Sequence, residues 1–252
     1  MEQWLINNGV VSRCDSEEQG LFLYQYMRAQ NGKIFNLKEH LELLNSTAVS
    51  LFGEPISLTE KVVVKSCEEL LYRGGYSSTA IHILELRVWQ SGKYQLRVAE
   101  TSLYKGFALR VMRPKALLAE GCNYPFSQPT SAAAAMVDFL RLSALQQQCQ
   151  IAICTDNNGF VTSVDGATPI VVHGTDITIS NSAVSVYSNI VLSALKQLQN
   201  QHVKVAPITL TDLHSADELF YADARGITAV GSFEDCHYSD SIAYAVSKLL
   251  NR

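Results

Sequence analysis

Apolar residues from Leu37 to Leu51 recur at alternating steps of four and three positions, which is the spacing of one face of a helix. The residues that share this spacing are Leu37, Leu41, Leu44, Ala48 and Leu51. The pattern predicts a helix that ends near Gly53. A second helix is predicted after it, because Ser57-Leu58-Thr59-Glu60 has the form of a capping box. This helix is predicted to end at Arg73-Gly74, where glycine can take the left-handed conformation.

The next part of the chain alternates polar and apolar residues, as strands do. This alternation occurs in Ala80–Trp89 and again in Tyr94–Glu100, and Ser91-Gly92 separates the two runs. The pattern predicts a β-hairpin. Phe107–Val111 is predicted as a third strand. The first half of the chain is therefore expected to combine strands with two helices.

A stretch rich in turn-forming residues follows Arg113-Pro114 and contains Gly121, Pro125 and Pro129. We interpret it as the connection between two domains. The predicted organisation is an N-terminal α/β domain over residues 1–113, with two helices on a small sheet. A connection over 114–129 and a C-terminal α/β barrel-like domain over 130–252 follow it.

The second half mixes helices with short strands. Ser131–Cys149 is rich in alanine and leucine and predicts a helix. Asp156-Asn157-Asn158-Gly159 is a strong turn signal and predicts a hairpin. The strands predicted in this half are Ile151–Cys154, Phe160–Thr162, Pro169–Val172, Ile177–Ser180, His202–Ala206 and Glu218–Tyr221, and the further helices are Val186–Gln199 and one from Ser239. Because the elements follow no regular βαβ repeat, the predicted fold class is α+β.

Composition and charge exclude several classes of partner. The 252 residues are 47% hydrophobic and 17% charged, which is typical of a globular chain with a buried core. The formal net charge of −4 offers no basic stripe to a phosphate backbone, so we expect no nucleic-acid partner. No apolar run is long enough to span a bilayer, and no cationic leader opens the chain, so we expect no membrane association.

The cysteines and histidines predict neither a disulfide framework nor a metal site. The six cysteines are scattered without a Cys-x-x-Cys pair, which is typical of reduced thiols in the cytoplasm. The six histidines show no His-x-His or His-Glu-x-x-His spacing. The expected location is therefore cytoplasmic, and no metal is expected.

Three motifs in a fixed order carry a family resemblance. The first motif is GKIFNLKEHL, from Gly32 to Leu41, at the start of a helix. The second is the acidic turn within Asp156 to Val161. The third is SADELF, from Ser215 to Phe220, which is followed by Arg225-Gly226-Ile227. Over roughly Trp4 to Val230 the chain resembles the fold-type IV pyridoxal-phosphate enzymes, or class IV aminotransferases. That family includes D-amino-acid and branched-chain aminotransferases and aminodeoxychorismate lyase. The resemblance implies a two-domain D-amino-acid aminotransferase-like architecture, mostly dimeric, with the cofactor between the domains.

The resemblance also implies a lysine that holds the cofactor as an imine, because pyridoxal phosphate accepts electrons only in that form. Counting back from Asp156 places this lysine at Pro129 to Ser131, and Thr130 is the best match. No lysine occurs between Lys115 and Lys196. The sequence therefore predicts that no amine reaches the cofactor from this segment.

Further positions implied by the resemblance are also substituted. The arginine that pairs with the cofactor phosphate corresponds to Leu43, and the glutamate that meets the pyridine nitrogen corresponds to Ser163. The phosphate-binding Gly-Ile-Thr turn corresponds to Ser185-Val186-Tyr187, and a second phosphate-side hydroxyl residue corresponds to Ala224. We therefore predict no bound cofactor, with Leu43 a packed helix residue and the hydroxyls of Thr130 and Ser131 capping the helix that follows.

A set of aromatic and charged residues is a candidate substrate or anion pocket. Its members are Tyr24, Tyr26, Arg28, Arg110, Asp223 and Arg225. Tyr24, Tyr26 and Arg28 alternate on a strand, so their side chains are expected on one face. The alternative for the tyrosines is packing on a sheet, and for the arginines it is a solvated or salt-bridged surface position.

Three hypotheses of function follow. The first is a non-catalytic relative of the aminotransferases, a homodimer that binds a small anionic metabolite or a protein partner. The alternative is an active pyridoxal-phosphate aminotransferase or aminodeoxychorismate lyase with an atypical site. A third, an enzyme of different chemistry built on Thr130, Ser131, Tyr24 and the arginines, has no motif to support it.

Overall fold

A computed structural model describes residues 4–13, 20–122, 128–182 and 185–251. The chain divides into two compact units. The first comprises Met1–Lys105 with Pro129–Ala132, and the second comprises Gly106–Gln128 with Ala133–Arg252. The segment 114–129, which the sequence predicts as a connection, holds strand β7 (Lys115–Ala119) of the second unit and continues into residues outside the described ranges.

The first unit is one antiparallel sheet with two helices. Its strands are β1 (Leu5–Asn7), β2 (Val10–Ser12), β3 (Phe22–Gln30), β4 (Lys33–Ile34), β5 (His82–Trp89) and β6 (Tyr94–Thr101), and its helices are α1 (Leu37–Phe52) and α2 (Glu60–Arg73). The strand order is β2-β1-β6-β5-β3-β4. Alternate residues of β3, including Leu23 and Met27, join the apolar faces of both helices in one core. That arrangement explains why the helical spacing was visible in the sequence.

Both predicted helices of this unit are confirmed, while their ends differ in detail. The residue that precedes α2 is Thr59 rather than Ser57, and its side chain makes no capping hydrogen bond. Gly74 keeps a right-handed conformation, and the left-handed residue is Gly75, at φ +65°. The hairpin of β5 and β6 is confirmed.

The second unit contains two five-stranded sheets. Its remaining strands are β8 (Ile151–Thr155), β9 (Val161–Val164), β10 (Ile170–His173), β11 (Asp176–Ile179), β12 (His202–Val205), β13 (Glu218–Asp223), β14 (Gly226–Ala229), β15 (Ser232–Phe233) and β16 (Cys236–His237). The helices are α3 (Ser131–Gln146), α4 (Val186–Leu195), α5 (Leu210–Ser215) and α6 (Ser241–Leu250), and α3 starts in the part of the chain that belongs to the first unit. The sheet orders are β12-β11-β10-β13-β14 and β16-β15-β7-β8-β9. The mixture of strands and helices confirms the predicted fold class.

The prediction of a strand at Phe107–Val111 was wrong. The segment makes only an isolated parallel bridge between Leu109 and Ile227, flanked by the bond from the Arg110 N–H to the Ile227 carbonyl (2.8 Å). It runs so close to β14 that a Cβ on Gly226 would lie 2.4 Å from the Ala108 carbonyl oxygen. Gly226 also has φ +129°, so glycine is required there. The helix predicted over Val186–Gln199 ends earlier, at Leu195.

The last helix is fixed at both ends by side chains. At its start, the buried Glu218 carboxylate accepts hydrogen bonds from the Ile242 and Ala243 amides, at 2.9 and 3.3 Å, which places a negative charge at a helix N-terminus. At its end, the Asn251 amide accepts from the Phe107 N–H (2.6 Å) and donates to the Phe107 carbonyl (2.9 Å). No helix in the described ranges is both long and apolar enough to cross a membrane.

Candidate functional site

In the first unit, three of the candidate site residues lie on one face of the sheet. Tyr24, Tyr26 and Arg28 lie on the face of β3 opposite the apolar core, as the alternation predicted. The two tyrosine rings pack edge to face with their centroids 5.4 Å apart. Arg28 is only 5% exposed, so its charge is held within the protein. This face therefore combines aromatic surface with a buried cation.

The same face carries an ion cluster that the sequence analysis missed. Glu85 lies opposite Tyr26 in the sheet and accepts hydrogen bonds from Arg87 (2.9 Å) and Arg97 (2.5 Å). Glu85 and Arg87 are both buried, and buried charges persist in proteins when they are paired in this way. The available signal was the pair of charged residues at alternate positions of an otherwise apolar strand. Arg28 lies on the same face of the sheet as this cluster.

Thr130 lies beside β3. It forms an isolated bridge with Leu23, and the Tyr24 N–H donates to the Pro129 carbonyl at 2.8 Å. The Ser131 hydroxyl accepts from the Phe22 N–H at 3.3 Å, so this hydroxyl holds the strand. Thr130 itself is 5% exposed. The position that the resemblance assigns to the lysine is thus a buried threonine fixed at the edge of the sheet.

Leu43, the residue at the phosphate-arginine position, is half-buried on α1. Its carbonyl accepts hydrogen bonds from the Ser46 and Thr47 hydroxyls, at 2.9 and 2.8 Å. Its side chain has no group that can donate to an anion. The role of a packed helix residue stays a prediction for Leu43.

Ser163 is fully buried on β9 of the second unit. Its hydroxyl oxygen has no hydrogen-bond partner among the nitrogen and oxygen atoms of the described residues. It lies opposite Cys154 in the β8–β9 pair. A buried serine can donate one proton, but it supplies no negative charge to a ring nitrogen.

The start of α4 is occupied by its own side chains. Ser185 accepts from the Ser188 N–H (3.1 Å), while the Ser188 hydroxyl accepts from the Ser185 N–H (2.8 Å), which completes a capping box. Val186 is buried, and the Tyr187 ring stacks on Phe107 with centroids 5.8 Å apart. One of the amides that an anion would use at this helix end is therefore already bonded.

Asp223 ends β13, and Ala224 and Arg225 form the turn to β14. Asp223 accepts from the Arg225 N–H (2.7 Å) and pairs with the Arg225 guanidinium (3.3 Å). Ala224 is 3% exposed and has no hydroxyl. These local bonds explain the turn without a ligand.

Arg110 lies close to the two strands that this turn joins. Its guanidinium donates to the Thr228 hydroxyl at 3.3 Å, and Thr228 is paired with Tyr221 across β13 and β14. Burial, together with the Asp165 and Asp223 carboxylates, raises the pKa of Tyr221 well above its usual value of 10, so the phenol remains neutral. Arg110, Thr228 and Tyr221 thus form one polar row in the second unit.

A second buried network, also missed from the sequence, extends from Tyr221. The Tyr221 hydroxyl donates to Asp165 (3.2 Å), and Arg141 donates to both oxygens of the same carboxylate, at 2.6 and 2.9 Å. Asp165 directly follows β9 and has φ +54°, a conformation that aspartate tolerates better than most residues. Long sequence separation hid this contact, since no local pattern joins the three residues.

The lysines share one property that bears on the candidate site. All of them lie in the described ranges, and every one is exposed to solvent. They are Lys33, Lys38, Lys61, Lys65, Lys93, Lys105, Lys115, Lys196, Lys204 and Lys248. The chain therefore has no buried or half-buried lysine.

Comparison with known proteins gives the family. A family model described as amino-transferase class IV matches residues 23–233. No curated protein sequence matches significantly. Similar solved structures include a fold IV-transaminase from Curtobacterium pusillum, at TM-score 0.79 and 13% identity, with 100% of this chain and 96% of that chain covered. A branched-chain amino acid aminotransferase from Escherichia coli gives TM-score 0.77 and 14% identity, covering 98% of this chain and 92% of that chain.

An aminotransferase from Brucella abortus, bound to the cofactor PLP, gives TM-score 0.77 at 15% identity, with 98% of this chain and 97% of that chain covered. At such identities the likeness establishes the fold alone. The family model nevertheless covers most of the sequence and includes the acidic turn and the SADELF motif. The chain therefore belongs to the class IV aminotransferase family and has the fold of the fold-type IV pyridoxal-phosphate enzymes.

Proposed function

We propose that this chain is a member of the class IV aminotransferase family that has lost pyridoxal-phosphate chemistry and binds a small anion instead. The observation that carries the proposal is the position of the lysines, all of which are exposed. Pyridoxal phosphate, when bound as an imine, withdraws electrons from the substrate, and a protein amine in the site must form and release that imine. A buried threonine at position 130 has no amine for this purpose.

The residues at the phosphate positions support the same conclusion. Leu43 and Ala224 offer no side-chain donor, and the Ser188 amide at the start of α4 is bonded to Ser185. A doubly charged phosphate needs several converging donors. These residues do not fit the cofactor, and no reaction step through it follows from them.

A binding experiment with pyridoxal phosphate tests the loss of cofactor chemistry. After incubation with the cofactor and reduction with borohydride, we expect substoichiometric labels spread over many exposed lysines, as mapped by peptide mass spectrometry. A single residue labelled at one mole per mole of protein would falsify the proposal and favour an active enzyme with an atypical site. The variants Lys115→Arg and Lys196→Arg, which remove the last lysine before Thr130 and the first lysine after it, serve as matched controls.

The sheet face of Tyr24, Tyr26 and Arg28 supports binding of an anion. Arginine on a rigid strand recognises carboxylates through two parallel hydrogen bonds, and the tyrosine rings add apolar surface. We expect Arg28→Ala to weaken binding of a probe dicarboxylate, succinate, about tenfold, since a charged hydrogen bond contributes on the order of 1.5 kcal/mol. Isothermal titration calorimetry measures the change. The control is Arg73→Ala at an exposed position of α2, which should bind succinate as the natural protein does.

We extend the proposal to a cytoplasmic homodimer, as the family resemblance implies. Helix α3 presents a row of large apolar side chains, Phe139, Leu142 and Leu145, each more than half exposed, and such surface is commonly covered by another subunit. We expect light scattering after size exclusion to give twice the chain mass, and Leu142→Glu to shift the protein toward the monomer. A monomeric natural protein at micromolar concentration contradicts this part of the proposal without affecting the lysine argument.

A further inference from the structure

Two cysteines meet at one end of a sheet in the second unit. Cys154 lies near the end of β8 and pairs in register with Ala119 of the neighbouring strand β7. The chain turns directly after β7 through Gly121, at φ +70°, and the Cys122 N–H then donates to the Thr155 carbonyl at 2.7 Å. This bond brings Cys122 over the end of β8, where its side chain packs against the small apolar cluster that contains Cys154.

The two thiols differ in their access to solvent. Cys154 is 1% exposed and belongs to a small apolar cluster with Leu140 and Ala152. Cys122 packs against the same cluster but is partly exposed. Burial raises the pKa of the Cys154 thiol, so that side chain is a neutral thiol at physiological pH. An oxidant in solution therefore reaches Cys122 first.

We propose that Cys122 and Cys154 form a redox-active pair that closes an intrachain disulfide when the protein meets a hydroperoxide. The Cys122 thiolate attacks the O–O bond of the peroxide and becomes a sulfenic acid, with release of hydroxide. The Cys154 sulfur then attacks the sulfenic sulfur of Cys122, and an S–S bond replaces the S–O bond. The oxygen leaves as water, which includes the proton of the Cys154 thiol. The hydroxide from the first step takes up the proton that the Cys122 thiol lost. In total two thiols lose two electrons, and one hydrogen peroxide is reduced to two waters.

The disulfide would enclose the segment between residues 122 and 154. That segment contains Thr130 and all of α3, and Cys154 lies opposite Ser163 in the β8–β9 pair. Oxidation would thus connect the ends of a segment that includes a candidate site residue. The inference stands apart from the proposed function, since it needs neither cofactor nor anion.

The other described cysteines lack this arrangement. Cys67 lies in the core of the first unit, and the Cys149 thiol donates to the Gln147 carbonyl. Cys236 is partly exposed, as Cys122 is, and its thiol donates to the His214 carbonyl. Cys236 is therefore the matched control for exposure without a neighbouring thiol.

Mass spectrometry of the full chain tests the proposal. The protein is treated with hydrogen peroxide, alkylated under denaturing conditions and digested. We expect it to lose two of its six alkylatable thiols and to yield one cross-linked peptide pair about 2 Da lighter than the sum of its reduced parts. Cys149 and Cys154 lie in the same tryptic peptide, so the peptide mass alone does not say which of them is cross-linked. The experiment is therefore repeated with the Cys149→Ser variant, in which only Cys154 remains in that peptide. Dithiothreitol should restore both thiols.

Single substitutions separate the two roles. In Cys154→Ser the cross-link should vanish while Cys122 accumulates as a sulfenic acid that dimedone traps, and in Cys122→Ser both signals should be absent. Cys236→Ser should cross-link as the natural protein does. The proposal is overturned if Cys122 and Cys154 both remain alkylatable after the peroxide treatment, or if the cross-link joins either one to Cys14.

Discussion

Replacement of Asp165 by alanine is expected to lower the free energy of unfolding by about 1.5–3 kcal/mol, the typical range for hydrogen bonds to a charged group, since the Arg141 side chain is 33% exposed and its charge is not left fully buried. The Asp165 side chain is 7% exposed and accepts from Arg141 through both oxygens. Alanine would leave that guanidinium and the buried Tyr221 hydroxyl without their shared acceptor. It would also place a less tolerant residue at φ +54°. Urea unfolding followed by circular dichroism measures the loss.

Asp138 provides a matched control on the same arginine. It lies 3.3 Å from Arg141 with its side chain 72% exposed, so Asp138→Ala should cost no more than about 0.5 kcal/mol. Asp165→Asn keeps the shape and the left-handed tolerance, and should fall between the two. Equal costs for Asp138→Ala and Asp165→Ala would show that the buried network does not stabilise the unit.

Acid is expected to destabilise the first unit through His40. This histidine is fully buried, its Nδ1 lies 2.6 Å from the Gln25 side-chain oxygen, and burial lowers its pKa from 6.5 to about 4. The unfolded chain therefore binds a proton at a higher pH than the folded chain does. The contribution of His40 to stability is complete above about pH 6.5, and it is lost as pH falls toward 4. The loss over this window is about 3 kcal/mol, at 1.36 kcal/mol per pKa unit.

The variant His40→Gln isolates this effect, because a neutral side chain has no proton to gain. Urea unfolding gives the free energy of unfolding of both proteins between pH 7 and pH 4. We expect it to fall by about 3 kcal/mol more in the natural protein than in His40→Gln as the solution is acidified. His202→Gln, at an exposed position, controls for the loss of one imidazole. Parallel stability curves for the natural protein and His40→Gln would contradict the assignment.

The elements that the sequence predicted well are those with one buried face. Helix α1 was predicted within one residue of its observed ends, because its core-facing residues are the ones that recur at helical spacing. The β8–β9 hairpin was equally clear, since the Asp156 carboxylate accepts from the Asn158 and Phe160 amides within the turn. In both cases the physical cause lies within a few neighbouring residues.

The errors in the fold came from contacts between distant parts of the chain. Phe107–Val111 looks like a strand, but β14 contacts it through isolated bonds rather than a regular ladder. Short elements such as β15 and α5 were missed altogether, since two to six residues give too short a pattern to recognise. Their hydrogen bonds depend on neighbours that the local sequence does not identify.

The candidate site was predictable only in part. The alternation of Tyr24, Tyr26 and Arg28 placed them on one face of a strand, and the structure has them there. The network of Arg141, Asp165 and Tyr221 could not be predicted, because its members come from a helix, a turn and a strand. The arginines around Glu85 left a trace in the sequence, since charged residues inside an apolar strand require paired neighbours.

The bonds between Asn251 and Phe107 join the last helix to the segment with which the second unit begins. The Ser247 hydroxyl adds a third link, to the Leu109 N–H at 3.0 Å. The segments around Phe107 and Asn251 are consequently neighbours in space, as circular permutation requires of the two points that are joined. A short peptide linker could close them into a ring, and new termini could open at the exposed turn around Asn158.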